Sequence, residues 1–315
     1  MAYLIDCKDV SLSYDGLRSA VDGVSFTVKE GSIFALLGPN GAGKTSTLRM
    51  LATLTDPTSG TMLVDGIDVR EDPIGVRRRI GYLPDSFALY EALTPVDYLD
   101  FFARCHGLAI TERRRRTDEL LTQLDLDGKR GVQIRSLSRG MRQRLGLAKT
   151  LLHDPKVLLL DEPASALDPG ARMKLRDVLI GLKHKGLAIV ISSHILPDLA
   201  GMADAVGIME GGRMVRTGSL DEIVEEGAAR RQSWTLEIRA HADRAERVFA
   251  DFGKRLVNVE RRAPHRFAVT LDGGSEAAAD LVESLVLRGV RVSHLAPAES
   301  QLESIYRQSA ASQVA

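Results

Sequence analysis

The chain has 315 residues with 42 Lys+Arg against 42 Asp+Glu, a formal net charge of zero. At roughly 100–200 residues per domain that length predicts two domains, and 44% hydrophobic with 27% charged residues is a globular composition that excludes disorder. Balanced charge leaves no cation surplus for neutralising phosphates, so no nucleic-acid partner is expected, and two cysteines, Cys7 and Cys105, exclude a disulfide framework or a CxxC metal site.

At the N-terminus Asp6, Lys8 and Asp9 fall where a signal peptide needs an apolar run. No stretch approaches the ~20 apolar residues of a membrane-spanning helix. The expectation is a soluble, cytosolic protein that reaches a membrane only through another chain. From Tyr3 to about Ile223, strand-like and helix-like segments alternate, the pattern of an α/β domain with a largely parallel sheet. IFALL (33–37), VLLL (157–160) and LAIVI (187–191) are continuous apolar runs. Short runs of this kind also occur in buried helices, but abrupt ends at Gly38, Asp161 and Ser192 favour strands buried on both faces. Between Pro84 and about Arg135 the texture turns helical, with Thr94 as N-cap and Pro95 at the first helical position. ERRRR (112–116) reads as a solvated helix face, since Asp118 and Glu119 follow at once.

Gly211-Gly212 between two apolar stretches predicts a hairpin turn, and Ser219 to Glu222 has the spacing of a capping box that opens a last helix. Residues 227–232 are taken as a linker between a domain over 1–226 and a second over 233–315. An internal repeat follows. Leu236 and Ile238 suggest a strand; Ala245, Val248, Phe249 and Phe252 fall at helical spacing; Gly253 caps that helix; Val257 and Val259 form a second strand. The second copy has Phe267, Val269 and Leu271, then Ala278, Leu281, Val282 and Leu285, a cap at Gly289, and Val290 with Val292. Two β-α-β units in succession predict a ferredoxin-like α+β module. Leu302, Ile305 and Tyr306 give a short terminal helix one apolar stripe. Each apolar position here has a core-packing explanation, and no catalytic constellation is visible.

The chemistry lies upstream. Gly38, Pro39, Asn40, Gly41, Ala42, Gly43, Lys44 and Thr45 fit G-x-x-x-x-G-K-[ST] directly after the strand IFALL. The glycines let main-chain N–H groups and a helix N-terminus wrap a phosphate. Lys44 adds a point charge for the β/γ-phosphates, and the Thr45 hydroxyl can ligate Mg²⁺. A glycine-rich turn without function is the poorer reading, since a chance match in such a chain arises on the order of once in a hundred. In VLLLDEP, Asp161 and Glu162 end a buried strand. One carboxylate there can hold Mg²⁺ through water while its neighbour orients or deprotonates the attacking water. Acidic residues at strand ends are often only helix caps; beside a phosphate loop the functional reading is the stronger.

LSRGMRQRL from Leu137, with Tyr14, SALD (165–168) and the SSH that ends at His194, makes residues 3–226 resemble an ABC-type ATPase subunit. The resemblance implies a P-loop ABC cassette, with a RecA-like core and a helical subdomain over about 86–150. It implies ATP and Mg²⁺ as cofactors, a membrane-spanning permease and a second ATPase subunit, most simply a homodimer, as partners. The location implied is the cytoplasmic face of the cell membrane. By the same resemblance Tyr14 stacks on adenine, Ser46 contacts the α-phosphate, Glu162 is the catalytic base, and His194 bridges the γ-phosphate and the base. Ser138 and Gly140 present the signature helix N-terminus to the nucleotide of the other subunit, and Asp168 communicates across the dimer. Without the family, Ser138 would be a helix cap and His194 a strand-end histidine with a structural hydrogen bond.

Two positions depart from the family. Asp85 follows IGYLP where Gln usually ligates Mg²⁺; a carboxylate can ligate the ion but cannot donate a hydrogen bond while ionised. Arg139 and Met141 replace the common Gly and Gln of the signature, as in the branch serving ABC-2-type exporters and antibiotic-resistance ATPases. The C-terminal module points the same way by analogy. An exporter ATPase is therefore the leading expectation. A soluble ABC protein acting on ribosomes or nucleic acid usually has two cassettes or a coiled-coil insertion; an importer ATPase usually keeps the fuller signature and a different C-terminal domain. Phe87, Leu89, Tyr90 and Leu93, ahead of the Thr94 cap, are the expected contact with the permease.

Overall fold

The computed structural model describes residues 3–165, 167–195, 199, 201–220, 222 and 232–297. The chain divides into two compact units, Met1–Gly218 and Ser219–Ala315, ahead of the boundary expected after Glu226.

In the first unit, β1 (Tyr3–Ser13), β2 (Ser19–Lys29), β4 (Ser59–Val64) and β5 (Ile67–Asp68) form a separate antiparallel sheet in the order β2-β1-β4-β5. Alternation from the first strand does not foretell this sheet, because β1 and β2 are hairpin neighbours with no helix between them. Their burial alternates along the strand, as half-buried antiparallel strands require. The second sheet runs β10-β9-β3-β8-β7-β6, built from β3 (Ile33–Leu37), β6 (Ile80–Leu83), β7 (Val157–Leu160), β8 (Ala188–Ser193), β9 (Ala205–Glu210) and β10 (Arg213–Gly218). β6, β7, β8, β3 and β9 are parallel; β10 returns antiparallel through the Gly211-Gly212 turn, where both residues have positive φ. Every residue of β3, β7 and β8 is buried, which their continuous apolar sequences demand. α1 (Lys44–Leu51) joins a core that includes both sheets, with Leu48, Met50 and Leu51 beside Phe26 and Phe34, whose rings stack at 4.8 Å. Burial of side chains of this size stabilises by about 1.5–3 kcal/mol each.

The short α2 (Pro73–Arg77) precedes β6, and the helical insertion then follows it: α3 (Pro95–Cys105), α4 (Ile110–Gln123) and α5 (Arg139–Leu151). Thr94 caps α3 by accepting from the Asp97 N–H, with Pro95 at its first position, as its sequence predicts. The arginine run is less uniform than a solvated face. Arg115 pairs with Glu112 and Glu119 in solvent, but Arg116 donates to the Leu151 carbonyl at 2.5 Å and the Leu152 carbonyl at 3.3 Å. Arg113 bonds Asp100 on α3 at 2.8 Å. Two of these arginines thus tie α4 to its neighbours. α6 (Pro169–His184) follows β7.

The capping box at Ser219 is present: Ser219 N–H donates to Glu222 and Glu222 N–H to the Ser219 hydroxyl. The helix it was expected to open, most of the expected linker, and the terminal stripe of Leu302, Ile305 and Tyr306 lie outside the described residues. In the second unit, β11 (Gln232–Ile238), α7 (Ala242–Asp251), β12 (Leu256–Ala263), β13 (Arg266–Leu271), α8 (Gly274–Leu287) and β14 (Val292–Pro297) form one β-α-β-β-α-β module. Gln232, assigned to the linker by sequence, is already in the sheet. The order β12-β13-β11-β14, antiparallel throughout, is the ferredoxin-like arrangement. Its core unites Trp234, Leu236, Phe249, Phe267, Leu271, Leu281 and Leu285. Val257 is a correction to the expected core: it is exposed on edge strand β12, at a register shift between Leu256 and Asn258 that leaves it without a partner opposite on β13.

Candidate nucleotide site

Four parallel strands end at one rim, and each delivers a candidate site residue just past its C-terminus. β3 leads into residues 38–45, β6 into Asp85, β7 into Asp161 and Glu162, and β8 into His194. The pairing of Leu37 with Ser193, Leu160 with Ile191, and Leu83 with Leu160 puts these loops side by side.

The loop after β3 winds tightly onto α1. Gly43 has φ 101, in the left-handed region, and a Cβ there would lie 2.6 Å from the Ala20 carbonyl oxygen. Gly38 has no room either, since a Cβ would meet the Met209 carbonyl at 2.5 Å. The β9–β10 hairpin braces the loop from behind, with Gly212 N–H donating to the Ala42 carbonyl at 3.2 Å. Ala20 and Gly212 are supports that sequence reasoning missed; nothing in their own residue types signals the contact.

Lys44 is buried, and its ammonium donates to the Gly38 and Pro39 carbonyls at 2.7 and 3.1 Å. Its Nζ is also 3.3 Å from Glu162 Oε1, an oxygen with no hydrogen bond of its own. The other carboxylate oxygen, Oε2, is 2.8 Å from His194 Nδ1, so this nitrogen carries the proton in the neutral ring and Nε2 is left as an acceptor. Thr45 Oγ1 donates to Asp161 Oδ1 at 3.1 Å, and Ser192 Oγ donates to the same oxygen at 2.6 Å. Burial raises the Asp161 carboxyl above its ordinary value; the Ser192 and Thr45 hydrogen bonds oppose this, and the Asp85 and Glu162 charges add to it. Ser165 Oγ donates to Asp85 at 3.4 Å. A cleft of about 350 Å³ is lined by residues 40–46 together with Ala20, Asp85 and Glu162. Tyr14 is exposed beside it, its hydroxyl 3.2 Å from Ser46 Oγ. A buried cation, a ring of main-chain N–H groups and a helix N-terminus can together receive a polyphosphate.

Ser138, Gly140 and Asp168 lie outside that cleft. Ser138 caps α5 by accepting from Met141 N–H at 3.3 Å, and Asp168 caps α6 by accepting from Ala171 N–H at 3.0 Å. The two helix starts adjoin, since a Cβ at Gly140 would sit 3.0 Å from that of Ala171. Ser192, buried and hydrogen-bonded to both Asp161 and Glu162, is a neighbour of the candidate site that sequence reasoning passed over; its only signal was its place in the SSH run.

The family model described as ABC transporter matches residues 21–165. An uncharacterized ABC transporter ATP-binding protein of Bacillus subtilis, YxlF, is 44% identical over 209 residues, covering 66% of this chain and 69% of that protein. The daunorubicin resistance ATP-binding protein DrrA3 of Streptomyces coeruleorubidus is 32% identical over 304 residues, 95% of each chain. The chain belongs to the ABC transporter ATP-binding family. A solved bacterial ABC transporter cassette described as dimeric shares its fold at a TM-score of 0.62 and 27% identity, covering 69% of this chain and 98% of that one. As a member of the ABC family the protein is an ATP-binding subunit and an ATPase, and subunits of this kind dimerise and pair with membrane permeases.

Proposed function

We propose that this ATPase drives export through a separate membrane permease, with MgATP closing a head-to-tail homodimer and hydrolysis reopening it. The observation that carries the ATP-hydrolysing part of this reading is the linked row Lys44–Glu162–His194 at the rim of the phosphate loop. In the free chain Lys44 spends its charge on two carbonyls and a carboxylate; an incoming β/γ-phosphate offers a better partner. That exchange releases Glu162 Oε1 to accept a proton from water, while His194 holds the other oxygen in place. Ser46 meets the α-phosphate, and Tyr14 offers its exposed ring to the adenine.

The oxygen donors suit Mg²⁺. Thr45, Asp161 and Asp85 would hold it, two carboxylates and a hydroxyl that leave its other positions to phosphate and water. Bound there, the ion neutralises charge on the phosphates.

Ser138 and Gly140 on α5 and Asp168 on α6 lie away from the chain's own cleft, which suits service to a second subunit's nucleotide. The lean to export rests on the 95% overlap with a daunorubicin resistance protein and on the Arg139 and Met141 variant of the signature. The place of work follows from the permease: the cytoplasmic face of the cell membrane. The test is Glu162→Gln. It should retain ATP binding, slow hydrolysis by about 10²–10⁴-fold, the range of a lost general base, and elute as an ATP-dependent dimer in gel filtration. Hydrolysis at the wild-type rate removes Glu162 as the base.

A further inference from the structure

Ser192 lies in β8 with no solvent exposure, and its hydroxyl has both of its principal hydrogen-bonding capacities used within the site. The hydrogen goes to Asp161 Oδ1 at 2.6 Å, and a lone pair accepts the Glu162 N–H at 2.8 Å. Thr45 at the start of α1 reaches the same Asp161 oxygen. One hydroxyl therefore links the carboxylate next to the phosphate loop with the backbone of the residue that faces Lys44.

That backbone has a particular need of support. Glu162 has φ 46, the left-handed region, at a residue with a long side chain. Such a conformation costs on the order of 1–3 kcal/mol and persists only where neighbouring groups over-determine it. With the backbone in this conformation the Glu162 carboxylate lies 3.3 Å from Lys44 Nζ and 2.8 Å from His194 Nδ1. Its N–H is the group that Ser192 holds.

We infer that Ser192 is a positioning residue for ATP hydrolysis: its hydroxyl locks the Glu162 turn and orients Asp161, thereby aiming the base without touching nucleotide. The inference rests on the reading of Glu162 as the base. Lys44 and the phosphate loop also have anchors that do not pass through Ser192: the Gly38 and Pro39 carbonyls take the ammonium, and the β9–β10 hairpin braces Ala42. Loss of the hydroxyl should therefore leave nucleotide binding and disturb the chemical step, since a displacement of ~1 Å at a reacting group can cost about 10²-fold.

The experiment measures kcat and KM for MgATP in the full chain, comparing wild type with Ser192→Ala, Ser192→Cys and Glu162→Gln. Cysteine refills the buried volume with a weak donor and weak acceptor. A loss caused by the missing hydrogen bonds should persist in it, whereas a packing loss should not. The expected result is a kcat lowered roughly 10- to 100-fold in both Ser192 variants, with KM changed by less than about threefold. A kcat within about threefold of wild type in Ser192→Ala overturns the inference. So does recovery in Ser192→Cys, or a rise in KM that accounts for the loss. A slow Glu162→Gln beside an unimpaired Ser192→Ala rejects the positioning role alone, while a wild-type rate in Glu162→Gln rejects the assignment of the base beneath it.

Discussion

Lys44 is a buried ammonium surrounded by partners it can give up. Two are neutral carbonyls, and the third is the Glu162 carboxylate at 3.3 Å. Hydrogen bonds to charged groups contribute about 1.5–3 kcal/mol, so Lys44→Ala should weaken MgATP binding about 10- to 150-fold by calorimetry. Unchanged affinity would show that phosphate is bound elsewhere. The same substitution leaves Glu162 Oε1 without its cation. At this scale the candidate residues Lys44, Asp161, Glu162 and His194 are legible from motif spacing, and the structure places them beside one another. Ser192 is not, because a serine in a strand looks like any other until its two neighbours are seen. Ala20 and Gly212 act through backbone atoms that every residue possesses.

His153, just beyond the end of α5, shows how an element junction can set a pH limit. Its Nε2 donates to the Ile80 carbonyl of β6 at 2.9 Å, its Nδ1 is buried without a partner, and its ring stacks on His106 at 4.1 Å. Burial, with the His106 and Arg116 charges, pushes its pKa down to about 4 against the Ile80 hydrogen bond and the Asp154 charge. A histidine with a depressed folded value contributes stability that is fully present above its unfolded pKa near 6.5 and is lost as pH falls toward 4. The cassette should thus lose about 2 kcal/mol between pH 7 and pH 5 on this account. In His153→Gln, whose amide can still donate to Ile80, the difference in urea unfolding between those pH values should shrink by about that amount; an equal difference would acquit His153. Element identities were legible where periodicity and caps agree, as in α3 behind Thr94 and the βαβ repeats. The antiparallel sheet and the order β3-β8-β7 were not, because strand neighbours far apart in sequence are chosen by packing, which periodicity along one strand does not encode.

On the scale of the whole molecule, each unit has its own core, one gathered around α1 and two sheets, the other between a four-stranded sheet and α7 with α8. The described residues that line the candidate nucleotide cleft all lie in the first. Among the described residues no helix is long and apolar enough to cross a membrane; the permease proposed above would need a surface of this chain to grip. The sequence marked residues 87–93 for that surface, and the structure divides them. Phe87 is half-buried, its ring packed so closely on Gly146 of α5 that a Cβ there would overlap it. Tyr90 is 53% exposed and meets Phe101, itself 45% exposed, edge to face at 5.7 Å. Beneath them Tyr98 and Phe102 extend the aromatic cluster. Burial of the exposed parts of two such rings contributes about 1–2 kcal/mol each at an interface. If the proposed permease grips this face, Tyr90→Ser with Phe101→Ser should shift the protein from the membrane fraction to the supernatant on co-expression with that permease, with ATP affinity unchanged because neither ring lines the nucleotide cleft. Phe87→Ser should instead lower the melting temperature of the cassette. A double variant that stays with the membrane as wild type does would place the grip on another face.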